Sequence, residues 1–467
     1  MMRKFFVYIF LLSCWPTSFV LAHPVDIKQS KGINQQRNEV PQYTYYGDVK
    51  PIIDAYCTGC HSPSGQSPFA LDTYEAVSSK SAWIADVVKR KVMPPWGANS
   101  IEGHKLSFDS SLSEKQTKMI LDWAQSQKLA GDPSQPGDAI YVPKMHLPQF
   151  DKTYRMLEPW TTAAGEDDEY RCFPVLVDSA EPFYVTGYKL EHDNAALIHH
   201  AFVFAFDPEY ATQVQAMDDG DPGYGYRCLV SPTTAEYYGL PAHTVAVSGL
   251  QGYEWAFTAG QGLLLKPGSI LIFQMHYSKH LLKPGQDEAA LNTSRTSIHL
   301  ATQKSVSHPI ESAYLMDLHW LEPGVMKIPA GQSDVSYTYS AIASQAPSIV
   351  ATRGTVNIQN GFYLNGLFPH QHLLARGLKI GIERAQGQHK IIFDNMDRYN
   401  FHFQSIFQFE QPIFVGKDDK LSITCRWDNS DENQPYHDGD KQTAVDVYWG
   451  EQTTDEMCVA TLLISEP

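Results

Sequence analysis

The N-terminal part of the chain places apolar residues at helical spacing. Apolar side chains recur at i, i+3, i+4 and i+7 over residues 49–56, and a second apolar stripe follows at residues 84–88. A third helix is predicted from Ser113, which can form a capping box with Gln116 and precedes the apolar residues within 119–123. This region therefore predicts a small bundle of helices.

The pattern changes after GDPSQPGD at residues 131–138, a stretch rich in proline, glycine and aspartate that predicts a domain boundary. Short apolar runs then alternate with turn residues, as in β-sandwiches: FPVLV, FYVTGYKL, ALIHHAFVFAF, SILIFQMHY, IIFDN, KLSITCRW and VATLLIS. Residues 281–310 are polar and lose this pattern, which predicts a weaker boundary. We expect a helical domain over 45–132, then β domains over 150–300 and 310–467; several domains suit a chain of 467 residues.

Charge and the first residues bear on partners and compartment. The formal net charge of −16 argues against nucleic acid as a partner. A basic start, a short apolar run and small residues predict a signal peptide over residues 1–22, followed by a polar tether over 23–44. We expect an exported, periplasmic protein without a transmembrane segment, because no apolar run is long enough to cross a bilayer. The alternative is a lipoprotein anchored at Cys14.

CTGCH at residues 57–61 is the C-x-x-C-H attachment motif of c-type haem. Cys57 and Cys60 would bond to the two vinyl groups, and His61 would bind the iron. A redox dithiol or half of a zinc site is the alternative interpretation. The predicted export, the preceding helix and the lack of a second C-x-x-C disfavour both.

A low-spin electron carrier needs a sixth iron ligand. Met93 in VMPPWG lies in a proline-flanked loop after the second predicted helix, and His104 and Met119 are the competitors. Residues 45–130 resemble a small class I cytochrome c, an all-α electron-transfer domain, and Met93 best fits the methionine position of that family. A methionine–histidine pair of ligands raises the potential and suits electron transfer.

The other cysteines of the exported chain are even in number, which predicts two disulfides in an oxidising compartment. Spacing alone leaves three pairings open among Cys172, Cys228, Cys425 and Cys458.

Four motifs in the β region carry residues that bind metals. They are His199 and His200 in ALIHHAFVF, His276 in QMHY, His370 and His372 in FPHQH, and Met457 in DEMC. In a strand, residues i and i+2 share a face, so the H-x-H pair can direct two imidazoles to one point. Adjacent histidines on a regular strand face opposite sides, so joint ligation by the first pair requires a local bulge or twist. Each motif alone is more often structural, and a lone methionine is usually core.

Taken in order, these motifs resemble the type II copper, ascorbate-dependent monooxygenases, which include peptidylglycine α-hydroxylating and dopamine β-monooxygenases. The resemblance covers roughly residues 155–467 and implies two antiparallel, jelly-roll-like β-sandwich copper domains that face a shared solvent cleft. It implies a copper that stores and passes an electron, held by His199, His200 and His276. It implies a second, oxygen-activating copper held by His370, His372 and Met457. Thioether sulfur favours Cu(I), the state that meets O2.

The same resemblance implies the disulfides Cys172–Cys228 and Cys425–Cys458, the second of which would anchor the site methionine. It also shows a departure. Peptidylglycine enzymes hold the substrate carboxylate with an arginine and polar residues at positions that are here Phe368, Val459 and Thr461. A peptide C-terminus is therefore a poor substrate, and an uncharged or aromatic small molecule is expected.

The sequence thus predicts a haem–copper monooxygenase that hydroxylates a substrate C–H bond with O2. An electron donor, either a small reductant or a redox protein, would supply electrons through the fused haem to the three-histidine copper. Two alternatives remain: a non-catalytic copper-binding or electron-transfer protein, and a haem sensor with a β-sandwich binding module.

Overall fold

The helices and strands are described from a computed structural model of the chain. It describes residues 42–467 except 64–66, 68, 100, 142–146, 164–167, 229–231, 238, 249–253, 279–291, 351–353, 402, 438–439 and 451. The predicted signal peptide, Cys14 and nearly all of the tether lie outside the described residues. None of the helices in the described part of the chain has the length and apolar character that a membrane crossing requires.

The N-terminal part is helical, and the predicted apolar stripes lie in its core. Its elements are a π-helical turn at Tyr45–Val49 followed by α1 Lys50–Tyr56, α2 Tyr74–Ser79, α3 Ser81–Lys89 and α4 Glu114–Gln125. Ser113 and Gln116 form the predicted capping box at the start of α4. Ile52, Val88 and Trp123, from three helices, meet in one buried cluster. The short helix α2 has no counterpart among the predicted elements.

Most of the remaining described chain is β-sheet, as the alternating apolar runs predict. The strands are β1 Lys152–Arg155, β2 Trp160–Thr161, β3 Asp168–Leu176, β4 Phe183–His192, β5 Ile198–Phe206, β6 Tyr226–Arg227, β7 His243–Ser248, β8 Glu254–Ala256, β9 Gln261–Leu265, β10 Ile270–Ser278, β11 Thr293–Ser294, β12 Thr296–Gln303, β13 His308–Leu315, β14 Lys327–Ile328, β15 Val335–Ile342, β16 Phe362–His370, β17 Ala375–Glu383, β18 His389–Asp394, β19 Phe407–Val415, β20 Lys420–Trp427, β21 Tyr436–His437, β22 Asp440–Lys441, β23 Val447–Tyr448 and β24 Val459–Ser465. Two helices interrupt them, α5 Ala211–Asp219 and α6 Pro347–Val350.

Three larger sheets form two layered cores. The first sheet has the order β1-β12-β4-β9-β13-β24-β16-β19, with β8 beside β4; the second is β6-β3-β10-β5-β7 and the third is β15-β20-β17-β18. Apolar residues of the second sheet pack on the β12-β4-β9 part of the first. Residues of the third sheet pack on its β13-β24-β16-β19 part. The two sandwiches therefore share one continuous sheet, joined by parallel pairing of β9 with β13.

The connection between α3 and α4 is attached to the second sandwich. The N–H of Asn99 donates to the Asp394 carbonyl (2.7 Å), and the N–H of Ser107 donates to the Gln408 carbonyl (2.8 Å). Trp96 packs edge-on against a phenylalanine of β19, with ring centroids 5.2 Å apart. The helical part thus lies beside the end of the chain that carries the H-x-H motif.

Candidate metal centres

The first group of candidate ligands lies on the neighbouring strands β5 and β10. His200 is the register partner of His276, and the next pair along the ladder is Ile198 with Tyr277. His199 is therefore an extra residue in β5, which forms a β-bulge at this point. Of the two irregularities that would allow joint ligation by adjacent histidines, a bulge or a twist, the strand has the bulge.

The three imidazoles of this group converge. His199 Nδ1 lies 3.1 Å from His200 Nδ1 and 3.1 Å from His276 Nδ1, and the candidate ligand nitrogens lie within 4.8 Å of one another. Nitrogens held about 2.0 Å from one tetrahedral ion lie roughly 3.3 Å apart, so this cluster fits a metal ion. All three rings are buried. Burial, and then the neighbouring imidazoles, hold the pKa of His200 well below its ordinary value. The neutral ring is the form that binds metal.

The second group lies where β16 meets β24. His370 ends β16 and is the register partner of Val459, the first residue of β24. Continuing this antiparallel register by two residues places His372 beside Met457. All three candidate ligands are buried. The hydroxyl of Tyr399 donates to the carbonyl of the residue between the two histidines and accepts from its N–H.

Hydrogen bonds at Nδ1 leave the Nε2 atoms of the H-x-H pair for a metal. His370 Nδ1 donates to Gln404 Oε1 (3.0 Å), and His372 Nδ1 donates to the Asp455 carbonyl (3.0 Å). The amide group of Gln404 is itself oriented, because its Nε2 donates to the Phe401 carbonyl (3.1 Å). Ligand histidines commonly donate their other N–H in this way. His370 Nε2 is buried, and the described residues offer it no partner. Burial lowers the pKa of His370 to about 4 and that of His372 to about 3.

A buried carboxylate that the sequence analysis missed supports this site. Glu456, directly before Met457, is 0% exposed. It accepts from the backbone N–H groups of His372 (2.9 Å), Leu374 (2.6 Å) and Met457 (3.3 Å), and from the indole of Trp427 (2.9 Å). Burial raises its pKa to about 7. One side chain thereby ties the segments that carry two of the candidate ligands.

The two disulfides join the pairs that the resemblance implies. Cys172 bonds to Cys228, and Cys425 bonds to Cys458. The second bond links β20 of the third sheet to the residue after Met457, so it connects both layers of the second sandwich beside the candidate site.

Aromatic rings lie between the two groups of candidate ligands. Phe401 stacks on His199 with ring centroids 5.3 Å apart and meets His372 edge-on at 5.8 Å. A single buried ring thus contacts one imidazole from each group. The resemblance implies a shared solvent cleft; in the described part of the chain, packed rings lie there.

A second series of rings runs beside the first. Phe202 contacts His200 at 5.6 Å and Phe368 at 5.5 Å, and Phe368 stacks on His370 at 6.2 Å. Phe202 belongs to β5 and Phe368 to β16, so these contacts connect the two sandwiches directly.

The C-x-x-C-H motif follows α1 as a helical turn. His61 N–H donates to the Cys57 carbonyl (2.8 Å), and Cys57 and Cys60 are not disulfide-bonded. His61 Nδ1 donates to the Phe69 carbonyl (3.1 Å), so Nε2 is the ring nitrogen that could bind a metal. These residues fit a covalently attached haem.

The candidates for the sixth iron ligand occupy different surroundings. Met93 is half-buried on the loop after α3. Met119 packs against the core of the helical part. Burial and then the cations Lys390 and Arg384 of the second sandwich lower the pKa of His104. His104 thus lies toward the β-structure, and the assignment of Met93 as sixth ligand stays a prediction.

Comparison with known proteins supports a copper enzyme. Residues 315–464 match the model of the copper type II ascorbate-dependent monooxygenase, C-terminal domain. The matched range contains His370, His372 and Met457. The members of that family are copper-dependent oxidoreductases that act on small molecules with O2.

The other comparisons do not indicate a fold family or a function. No curated protein matches the chain. The major capsid protein P2 of bacteriophage PM2 is 7% identical, with 67% of this chain and 96% of that chain covered and a TM-score of 0.24. A structure from infectious bursal disease virus, Gx strain, is 9% identical, with 70% and 75% covered and a TM-score of 0.16.

Proposed function

We propose that the chain is an exported, periplasmic haem–copper monooxygenase that hydroxylates a C–H bond of a small organic molecule. The overall reaction is substrate C–H, O2, two electrons and two protons giving substrate C–OH and water. The observation that carries the proposal is the family match over residues 315–464. The matched range includes the buried H-x-H pair, in which both Nδ1 atoms are hydrogen-bonded.

Two sets of residues would hold the metal. His199, His200 and His276 offer three imidazoles for one copper. His370, His372 and Met457 offer two imidazoles and a thioether for the other. Copper would supply one-electron storage at the first set and reductive activation of O2 at the second.

The protein residues around these ligands have separate tasks. Gln404 and the Asp455 carbonyl keep the Nδ1 protons of His370 and His372 in place, which directs their Nε2 lone pairs to the metal. Glu456 fixes the backbone on both sides of the site. Burial of the rings excludes water, which protects reactive species from side reactions.

The helical part is proposed to be a c-type cytochrome domain. Cys57 and Cys60 would hold the haem covalently, with His61 and Met93 as axial ligands. The haem would supply single electrons from a small reductant or a redox protein. Copper held by His199, His200 and His276 would be their acceptor. Phe401 contacts one imidazole from each group of candidate ligands, so it connects the two groups directly.

The test is metal and product analysis of protein made with haem attachment and copper supplied. We expect one iron and two coppers per chain, and incorporation of one labelled oxygen atom from O2 into product across a substrate panel. His200→Ala should remove the first copper, and His372→Ala or Met457→Leu should weaken the second. The exposed His319 gives the matched control His319→Ala, which should keep both. Haem without copper would refute the proposal, and copper without product would favour a non-catalytic copper protein.

The electron route has its own test. Protein with reduced haem is mixed with O2 in a stopped-flow instrument, with copper and substrate bound. We expect the haem to reoxidise, and to do so far more slowly in His200→Ala. A haem that stays reduced in the copper-loaded protein would refute delivery through this domain.

A further inference from the structure

Two of the positions that hold a substrate carboxylate in peptidylglycine enzymes border a narrow space in the described part of the chain. Phe368 and Thr461 line a space of about 20 Å³ together with Phe202 of the other sandwich. A single water needs roughly 10–15 Å³ of such volume, so a substrate does not fit. Substrate must approach the H-x-H pair from another direction.

A larger cavity has His372 in its lining. It measures about 340 Å³, within the ordinary range for small-molecule sites, roughly 300–1,000 Å³. One wall belongs to the second sandwich and includes His372 together with the rings of Tyr399, Phe401 and Phe403. These rings suit a flat, apolar ligand.

The opposite wall belongs to the helical part. Val92, directly before Met93, and Pro95 and Trp96, which follow it, line the cavity. Trp96 is held by its edge-on contact with Phe407 of β19. Both the proposed electron-transfer domain and the second sandwich are needed to complete this cavity.

The charges at the cavity favour an anion. Lys91 and Arg398 both line it, and among the described residues neither forms an ion pair within 4 Å. The guanidinium of Arg398 is fixed because Nη1 donates to the Ala98 carbonyl (2.7 Å). Its Nε is buried with no partner among the described residues. The one lining carboxylate, Asp397, is paired with Arg376 (2.6 Å).

We infer that this cavity is the substrate site and that it takes a small aromatic molecule bearing one anionic group. This inference rests on the proposed function. The aromatic walls hold the ring beside His372, and Arg398 with Lys91 receives the anion; a carboxylate is the simplest group that matches a guanidinium. The helical part closes the site, so it has a binding role as well as its proposed redox role.

The test is calorimetric binding of phenylacetate, with phenylacetamide as its neutral counterpart, to the haem- and copper-loaded protein. We expect phenylacetate to bind more tightly. Arg398→Gln should raise its Kd at least tenfold, equivalent to about 1.4 kcal/mol, and change the Kd of phenylacetamide by less than threefold. The matched control is Arg155→Gln, at an exposed arginine paired with Asp193 on the first sandwich, which should change neither.

A second variant covers the case in which loss of the Arg398–Ala98 hydrogen bond disturbs folding. Val92 is 39% exposed, so Val92→Glu adds a negative charge at the cavity without disturbing the core. This substitution should raise the Kd of phenylacetate at least fivefold and leave the Kd of phenylacetamide unchanged. Equal effects of Val92→Glu on both probes, or absence of phenylacetate binding, would overturn the inference.

Failure of the inference and failure of the proposed function give different results. If the protein takes up no copper when copper is supplied, but still binds phenylacetate in a charge-dependent way, the cavity stands and the monooxygenase is refuted. Copper loading and product formation that are indifferent to Arg398→Gln and Val92→Glu would keep the enzyme and refute the cavity.

Discussion

The disulfide beside the proposed oxygen-activating site allows stability and metal binding to be separated. Replacing Cys425 and Cys458 together by alanine removes a cross-link between residues 33 apart in sequence. Loop-closure entropy then predicts a loss of about 3.7 kcal/mol in the free energy of unfolding. The first disulfide, Cys172–Cys228, spans 56 residues, and its removal should cost about 4.2 kcal/mol by the same relation.

The two double variants should differ at the metal. Cys458 directly follows Met457 in the sequence, and both residues are buried just before β24 begins. Without the bond to β20, this segment keeps the hydrogen bonds to Glu456 but loses its covalent tie to the opposite sheet. The thioether should therefore be held less firmly, and sulfur scattering at copper should decrease in X-ray absorption of the reduced protein. Removal of Cys172–Cys228 should leave that signal unchanged.

Chemical denaturation of the metal-free protein measures the two stability losses, and copper-edge absorption under native conditions measures the sulfur ligand. The reasoning would be refuted if both double variants lost the sulfur signal equally, because general destabilisation would then explain the effect. It would also be refuted if the Cys425–Cys458 variant kept full sulfur scattering.

Three further substitutions test the supports of the second site. Gln404→Leu removes the acceptor of His370 Nδ1, so copper affinity there should fall roughly 10–100-fold in a chelator competition; unchanged affinity would show that this hydrogen bond does not orient the ring. Glu456→Ala leaves four buried donors without their acceptor and should cost at least about 3 kcal/mol in urea unfolding; a cost below about 1 kcal/mol would contradict that network. Gly366→Ala places a Cβ 2.7 Å from the Phe407 carbonyl oxygen and should cost about 1–3 kcal/mol, measured the same way, and a neutral result would mean that β16 and β19 shift apart freely.

The helices and most strands were predictable because their apolar residues recur at the period of the element. The stripe over residues 49–56 and the capping box at Ser113 need only local information. Helix α2 was missed because it has six residues and buries only Val77. Strand geometry required a bulge or twist for joint ligation by His199 and His200, but the sequence does not show which of the two forms.

The supporting residues of the site could not be predicted for physical reasons. Glutamate is normally exposed, so nothing in the local sequence marks Glu456, next to Met457, as a buried acceptor. Phe401 and Gln404 lie in an irregular segment between β18 and β19, where there is no period to assign a face. Arg398 lies in the same segment, which is why its place in the lining of the proposed substrate cavity was not predicted.

The pairing of β9 with β13 explains how two sandwiches can place their candidate ligands at a fixed separation. This pairing is parallel and joins residues from the two halves of the chain, Gln261 with His308 and Leu263 with Ile310. The three-histidine cluster rests on β5 and β10, which pack on the first half of the shared sheet, whereas His370 belongs to its second half. A change in the separation of the two groups would break these backbone hydrogen bonds and the aromatic contacts that cross between the sandwiches. Packed interiors resist deformation. The shared sheet, rather than the ligand side chains, therefore sets the separation between the two groups of candidate ligands.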